Sequence, residues 1–317
     1  MPERSKLLLQ RYAILSVFAG LFIIFSLTVT SFATTENLSN IIVQSSLLAV
    51  LALGLNLVIM AGEIDISFSG SVPLLASIFV MMIQENWPFL FALAFVLFIG
   101  ATIGLFNALL VTSLKLNSFV STVGVMFLLS GFWYAYTGGT SIWIGETFNR
   151  ELIYGYIGPL PIIGLILIVI FLLLYVITEH TRFGMAMRAV RTDQEAARAA
   201  GINVEKTKIL AFIGAGLVFG LSSVLSVARL SGAMATAGAD IMLPTMTIAF
   251  VGQTVLGMGR PNTLGIILGA LLLGMINNTF VLMNLPFWSV PMAYGIILMI
   301  SIALANIGQT DIKQIRL

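Results

Sequence analysis

Long apolar runs separated by short polar stretches dominate the sequence. A helix that crosses a membrane needs about 20 largely apolar residues, and ten runs of roughly this kind follow one another. They lie near residues 12–33, 41–61, 68–83, 89–113, 118–137, 161–178, 208–229, 243–258, 264–283 and 290–306. The pattern predicts an all-α membrane protein of about ten transmembrane helices, in a single domain that covers residues 1–317.

The composition agrees with a protein that lies in the lipid bilayer. Hydrophobic residues make up 59% of the chain and charged residues only 9%, whereas soluble domains carry about 25% charged residues. The apolar part of the first run is about 20 residues long, which exceeds the core of a signal peptide. We therefore expect the first run to remain as a transmembrane helix.

The cationic residues fall mainly on one side of the predicted bundle when successive runs alternate in direction. Thirteen of them lie on the side of both termini, and two, Arg150 and Arg229, lie on the other side. Loops on the cytoplasmic side of a membrane carry an excess of Lys and Arg. The distribution predicts that both termini are cytoplasmic and that the number of spans is even.

A basic polar segment, residues 179–208, separates the sixth and seventh predicted spans. Within it, Thr192 and Glu195 have the spacing of a capping box at the start of a helix. Gly201 suits the left-handed position that follows the end of a helix. These signals predict a short, alanine-rich helix from Asp193 to Ala200. Because such a short helix is marginal alone, we expect a packing partner to hold it.

Two predicted spans contain residues that disturb helices. The third follows the sequence Gly-Glu-Ile-Asp-Ile-Ser at residues 62–67, and the eighth follows Gly-Ala-Asp at residues 238–240. The disturbing residues within the spans are Gly70 and Pro73 in the third, and Pro244, Gly252 and Gly257 in the eighth. Such residues favour broken or re-entrant helices, which in transporters mark a translocation pathway.

Polar side chains at membrane depth are costly and are candidate functional residues. The candidates for a translocation pathway are Asn56, Asp65, Asn107, Asn277 and Asn278. Each also has a structural interpretation. Asp65 can cap the helix that follows Ser67, and the amides can form hydrogen bonds between helices.

Several motifs resemble those of one transport family. Glu195, Ala196 and Ala197, followed after three residues by Gly201, match the Glu-Ala-Ala-x-x-x-Gly signature of permease subunits of bacterial ABC importers. Further blocks resemble the ribose-type, simple-sugar branch, to which autoinducer-2 importers also belong. These blocks are residues 56–59, 62–67, 117–124, 137–139, 181–184, 200–208 and 227–230. The chain is identified as a member of this family over residues 40–306.

The resemblance implies the bundle of a type II ABC importer in the bacterial inner membrane. It implies two permease subunits, identical or homologous, on two ATP-binding subunits, with an extracytoplasmic solute-binding protein. Residues 179–208 then form the cytoplasmic segment that couples to the ATPase. The implied coupling residues are Arg182, Gly184, Arg188, Thr192, Glu195, Ala196, Ala197 and Gly201. Arg229 and Asp240 are candidates for contact with the binding protein, or for a surface ion pair.

The sequence departs from the pattern of the family at two places. Glu63 stands where the family usually has a second glycine, and residues 252–261, Gly-Gln-Thr-Val-Leu-Gly-Met-Gly-Arg-Pro, lack several glycines of the usual motif. Paired permeases that are not identical can diverge in this way. The sequence therefore leaves open whether the second permease subunit is a copy of this chain.

The chain lacks the residues of the common catalytic sites. It has no cysteine, one histidine (His180) and no Gly-x-x-x-x-Gly-Lys-Ser/Thr motif, so we predict no catalytic residue, bound metal, cofactor or nucleic-acid partner. The predicted function is the non-catalytic translocation subunit of an ATP-driven importer for a monosaccharide or a sugar-like solute. The alternatives are a secondary transporter driven by an ion gradient, or an ABC permease for autoinducer-2, a nucleoside or an amino acid.

Overall fold

The computed structural model describes residues 3–145, 151–158, 160–234, 237–254 and 260–315. In these ranges the helices are α1 (Glu3–Thr28), α2 (Thr35–Met60), α3 (Phe68–Gln84), α4 (Phe89–Thr112), α5 (Ser118–Thr137), α6 (Glu151–Tyr154), α7 (Ile162–His180), α8 (Arg182–Thr192), α9 (Gln194–Ala199), α10 (Val204–Leu230), α11 (Ala237–Thr254), α12 (Thr263–Leu282) and α13 (Ser289–Ile315). The strands are β1 (Ile142–Trp143), β2 (Tyr156–Ile157), β3 (Leu160–Pro161) and β4 (Gly232–Ala233). Strand β1 pairs antiparallel with β4, and β2 with β3.

A helix overlaps each of the predicted spans. Helices α2, α4, α5, α7, α10 and α12 are long and apolar enough to cross a membrane. Shorter apolar stretches lie at Ser16–Thr28, Phe68–Gln84 and Ser289–Ala303. The prediction of an all-α membrane protein is confirmed.

Helix α2 lies at the centre of the bundle. It contacts α7, α10, α11 and α12, and 83% of its most apolar stretch is buried, compared with 22% for α4. A helix that is apolar on all sides and buried in this way belongs to the core of a bundle. Helix α4 turns most of its surface outwards, as a helix in contact with lipid does.

Helices α4 and α10 approach each other so closely that their backbones touch. Gly100 and Gly216 face each other, and a Cβ atom on either would overlap the carbonyl oxygen of the other. One turn further along, a Cβ atom on Gly104 would overlap the carbonyl oxygen of Phe212. Small residues four positions apart permit this approach in membrane bundles.

Helices α3 and α11 are continuous, so the expectation of breaks within them is wrong for the described residues. Gly70 lies against the backbone of Met126, and a Cβ atom on Gly252 would lie 2.8 Å from Cδ1 of Ile266. These glycines make room for neighbouring elements. Helix α3 also runs through Pro73, and α11 through Pro244.

The interruption occurs before α3, where residues 61–67 leave the helical conformation. The chain therefore turns between α2 and α3 through a short non-helical linker. Gly257 lies in residues 255–259, outside the described residues.

Candidate functional site

Residues 179–208 comprise the last two residues of α7, helices α8 and α9, and the first turn of α10. The carboxyl ends of α2 and α11 lie at the same end of the bundle. We call this end the basic end. Its cations in this segment are Arg182, Arg188, Arg191, Arg198, Lys206 and Lys208. Lys115 lies close by, in the turn between α4 and α5.

The entry into α8 is tight. The hydroxyl of Thr181 accepts a hydrogen bond from the backbone N–H of Gly184, 3.3 Å away. A Cβ atom on Gly184 would overlap the carbonyl oxygen of Thr178 in the last turns of α7. Arg188 forms an ion pair of 2.8 Å with Glu179 across the same turn. Gly184 and Arg188 thus fix the direction of α8 relative to α7, while Arg182 is exposed.

Helix α9 is capped by Asp193, so the predicted capping box with Thr192 as the N-cap is wrong. The Oδ1 atom of Asp193 accepts hydrogen bonds from the backbone N–H groups of Glu195 (2.9 Å) and Ala196 (3.0 Å). The hydroxyl of Thr192 instead donates to the carbonyl oxygen of Arg188 at 2.8 Å. Because α8 continues to Thr192, the extended residue that precedes the next helix comes one position later.

The end of α9 has the predicted glycine cap. Gly201 has a φ of +82°, and its N–H donates to the carbonyl oxygen of Arg198 at 2.9 Å. The N–H of Ile202 donates to the carbonyl oxygen of Ala197 at 3.0 Å. This pair of bonds defines a helix end that needs a left-handed residue.

The two faces of α9 differ. Ala197 is buried in a small apolar cluster with Val190 and Val204. Glu195 and Ala196 are exposed. The helix is therefore held to α8 and α10 by one face and offers the other to its surroundings.

Arg191 connects α8 to two helices of the bundle. Its Nη1 atom donates to the carbonyl oxygen of Ile59 at the end of α2 (2.6 Å), and its Nη2 atom donates to Oε1 of Gln253 in α11 (3.4 Å). Burial lowers the pKa of the Arg191 guanidinium below its ordinary value. The sequence pattern does not reveal this role, since Arg191 is only one of several arginines in a polar segment.

A second link joins the start of α10 to the linker between α2 and α3. Lys208 forms an ion pair of 2.5 Å with Glu63, and the two side chains are only 10% and 13% exposed. The ammonium of Lys208 also donates to Oε1 of Gln194 in α9 at 3.2 Å. Glu63, one departure from the family pattern, thus receives Lys208, and Gln253, within the divergent residues 252–261, receives Arg191.

Asp65, in the buried part of the linker, lies against Asn107 of α4. Asp65 accepts a hydrogen bond from the backbone N–H of Ser67 at 2.8 Å. The amide of Asn107 donates to Oδ2 of Asp65 (3.3 Å) and to the hydroxyl of Ser67 (2.7 Å). All three side chains are buried. Asp65 therefore organises the turn into α3 and is inaccessible in this conformation.

Helix α5 supports the same linker from the other side. The hydroxyl of Ser118 accepts from the N–H of Ile64 (3.2 Å), and the hydroxyl of Thr122 accepts from the N–H of Ile66 (3.1 Å). The side-chain oxygens replace the partners that a helix or a sheet would supply to these N–H groups, of which that of Ile66 is buried.

The other predicted pathway amides lie elsewhere in the bundle. Asn56 is buried in α2, and its amide contacts the sulfur of Met60 at 3.5 Å. Asn277 in α12 donates to Oε1 of Gln44 in the first half of α2 at 3.2 Å, and Asn278 is buried beside it. Among the described residues, a hydrogen bond joins Asp65 to Asn107, whereas Asn56 and Asn277 bond to other partners, so the five candidates do not form one cluster.

Arg229 and Asp240 lie at the end of the bundle opposite the basic end. Arg229 is half-buried in the last turn of α10, and Asp240 is exposed in the first turn of α11. Between them, strand β4 pairs with β1. Both residues are therefore close to a surface.

A cavity of about 580 Å³ opens at the basic end, between the α4–α5 turn and the 179–208 segment. Charged side chains from both elements line it, including Lys115, Arg198 and Glu205. Arg198 and Glu205 form an exposed ion pair of 2.7 Å. The polar lining suits contact with water or with a polar protein surface.

A bundle of apolar helices with one concentrated basic surface is typical of a multi-pass membrane protein. Residues 37–305 match the family described as the branched-chain amino acid transport system, permease component, and the chain belongs to this family. No solved structure gives a significant match to the chain.

Similar proteins are importer permeases along nearly their whole length. The ribose import permease protein RbsC of Escherichia coli K12 is 31% identical over 283 residues, which cover 87% of each chain. RbsC of Bacillus subtilis strain 168 is 29% identical over 92% of each chain. The L-arabinose ABC transporter permease protein AraH of Azospirillum brasilense is 28% identical over 92% of this chain and 86% of its own. This chain is a permease subunit of the ABC importer class.

Proposed function

We propose that this chain forms the translocation pathway of an ATP-driven importer for a monosaccharide. Relatives along most of its length are named for ribose, arabinose and allose. The candidate pathway residues are mostly neutral amides, which offer both donors and acceptors to hydroxyl groups. The family description names branched-chain amino acids, which makes an amino acid the second substrate class to test.

In the proposed arrangement ten helices cross the bacterial inner membrane, α1 to α5, α7 and α10 to α13. Both termini and the basic end then face the cytoplasm. The excess of cations at this end supports that orientation. Arg229 and Asp240 then face the extracytoplasmic side, where a solute-binding protein would deliver the substrate.

Residues 179–208 are proposed as the coupling segment that receives a separate ATP-binding subunit. The observation that carries this proposal is the division of α9 into two faces. Ala197 packs against α8 and α10 in a small apolar cluster. Glu195, Ala196 and Arg198 remain exposed. A helix that is capped at both ends and half free is a preformed contact surface for a partner. A second permease subunit, identical or homologous, completes the complex.

The test is uptake by the complex that co-purifies with the tagged chain, reconstituted in proteoliposomes with its solute-binding protein. We expect ATP inside the correctly oriented vesicles to drive uptake of radiolabelled D-ribose, L-arabinose or D-allose, but not of L-leucine. Collapse of proton and sodium gradients should leave this uptake unchanged. Uptake that follows an ion gradient without ATP would favour a secondary transporter, and uptake of leucine alone would overturn the sugar assignment.

A further inference from the structure

Two polar links join the coupling segment to the end of α2 and to the linker that follows it. One is Arg191, which bonds to Ile59 and Gln253. The other is the largely buried ion pair of Lys208 with Glu63. The residues that accept these bonds near the end of α2, Ile59 and Glu63, are four positions apart. Both links therefore attach to the same short stretch of chain.

The attraction within these links is screened little by water, because the charges are partly or largely buried. Hydrogen bonds from a cation to a carbonyl oxygen or a carboxylate are stronger than neutral ones. A buried cation that loses its partners is left uncompensated, which is strongly unfavourable. A movement of the coupling segment therefore either breaks these bonds or carries Ile59 and Glu63 with it.

Arginine is suited to holding two helices at once. Its rigid guanidinium presents several N–H donors in fixed directions, and two of them reach α2 and α11. Gly62 permits this approach, since a Cβ atom there would lie 3.3 Å from Cα of Arg191. Its φ of +85° is also a conformation that favours glycine.

The linker to which Lys208 is bonded continues into the interior of the bundle. Asp65, two residues beyond Glu63, binds Asn107 of α4, and Ser118 and Thr122 of α5 bind the linker backbone. Hydrogen bonds thus connect the linker to α4 and α5, and the linker leads directly into α3. We propose that Arg191 and the Lys208–Glu63 pair are positioning residues that transmit movement of the coupling segment to this linker; the inference rests on the proposed function.

The experiment uses the intact complex and single cysteines, because the chain contains none of its own. Ile64→Cys reports on the linker, and Ala199→Cys reports on the exposed face of the coupling segment. The rate of modification by a membrane-impermeant maleimide is measured without nucleotide and after trapping with ATP and vanadate. In the otherwise unaltered complex we expect trapping to change the rate severalfold at both positions.

Arg191→Ala should abolish the response at position 64 and leave the response at position 199. Glu63→Lys should do the same, and the double change Glu63→Lys with Lys208→Glu should restore it, because the opposite charges are again paired. Gln194 can rotate its amide to donate to the new carboxylate. Lys115→Ala is the matched control: it removes one cation from the basic end, and the described residues provide Lys115 with no hydrogen bond or ion pair.

Equal responses at position 64 in the unaltered and Arg191→Ala complexes would overturn the proposal. So would a complex in which position 199 responds to nucleotide and position 64 never does. The charge exchange keeps the test decisive if Arg191→Ala does not fold. Failure of the proposed function is recognised separately, since the unaltered complex would then contain no ATPase and position 199 would not respond to nucleotide.

Discussion

The guanidinium of Arg191 donates a hydrogen bond of 2.6 Å to the carbonyl oxygen of Ile59. Ile59 lies in the last turn of α2, where its carbonyl oxygen also accepts from the backbone N–H of Gly62 at 3.0 Å and where a nearby cation is favourable. Because α2 is the most central helix of the bundle, this bond ties the basic surface directly to the core. Residues 179–208 are therefore attached to the bundle core, although their sequence resembles an ordinary polar loop.

Gly201→Val should uncouple transport and leave membrane insertion intact. The φ of +82° excludes a β-branched residue without strain, at a cost of about 1–2 kcal/mol. No atom lies within 4 Å of a Cβ placed on Gly201, so the effect comes from the backbone alone. Gly201→Asn is the control, since asparagine tolerates the left-handed conformation. Normal uptake and normal ATPase association in Gly201→Val would refute the assigned role.

Asp193→Ala should loosen α9, and Thr192→Ala should not. Loss of an N-cap costs about 1 kcal/mol, which corresponds to a roughly fivefold faster hydrogen exchange of the α9 amides. Thr192 bonds to Arg188 in the preceding helix, so its hydroxyl contributes nothing to the start of α9. Hydrogen exchange measured by mass spectrometry distinguishes the two variants. Faster exchange of the α9 amides in Thr192→Ala alone would show that Thr192, and not Asp193, is the N-cap.

Gly216→Ala should destabilise the bundle. Its new Cβ atom overlaps the carbonyl oxygen of Gly100, which forces α4 and α10 apart at a cost of about 1–3 kcal/mol. Gly124→Ala is the matched control on α5, because no atom lies within 4 Å of a Cβ there. It should leave stability unchanged or raise it by up to about 1 kcal/mol. Thermal unfolding in detergent measures both, and equal melting temperatures would contradict the close packing.

Asn107→Ala should destabilise the linker before α3. It leaves the buried carboxylate of Asp65 without a donor from α4, and an unsatisfied buried polar group costs about 1–3 kcal/mol. The double change Asp65→Ala with Asn107→Ala should cost less than the sum of the single changes, because the two residues share one interaction. Additive losses in the same unfolding measurement would show that the pair does not interact.

The positions of the helices were predictable, whereas the contacts between them were not. Apolar length alone places a helix at each predicted run, since lipid requires it, but the helix ends differ by up to nine residues, as at the start of α1 and the end of α13. Gly70 and Gly252 suggested breaks, because a glycine that admits a neighbouring helix looks the same in sequence as one that ends a helix. Only the tertiary structure separates the two cases.

Local signals within the basic segment were partly sufficient. Gly201 was placed correctly because a left-handed cap is a property of the backbone at one position. The N-cap was misplaced by one residue, from Asp193 to Thr192, since both residue types cap helices and the end of α8 decides between them. Arg191 and Ile59 are 132 positions apart, and no pattern in one sequence joins residues at that separation.

The most direct test of the account is to identify what co-purifies with the tagged chain after gentle solubilisation from its native membrane. Mass spectrometry should find an ATP-binding subunit with a phosphate-binding Walker motif. It should also show whether the complex contains a second, different permease or two copies of this one. A chain that is recovered without any ATPase, in every detergent that preserves its fold, would contradict the central claim that a separate ATPase drives this permease.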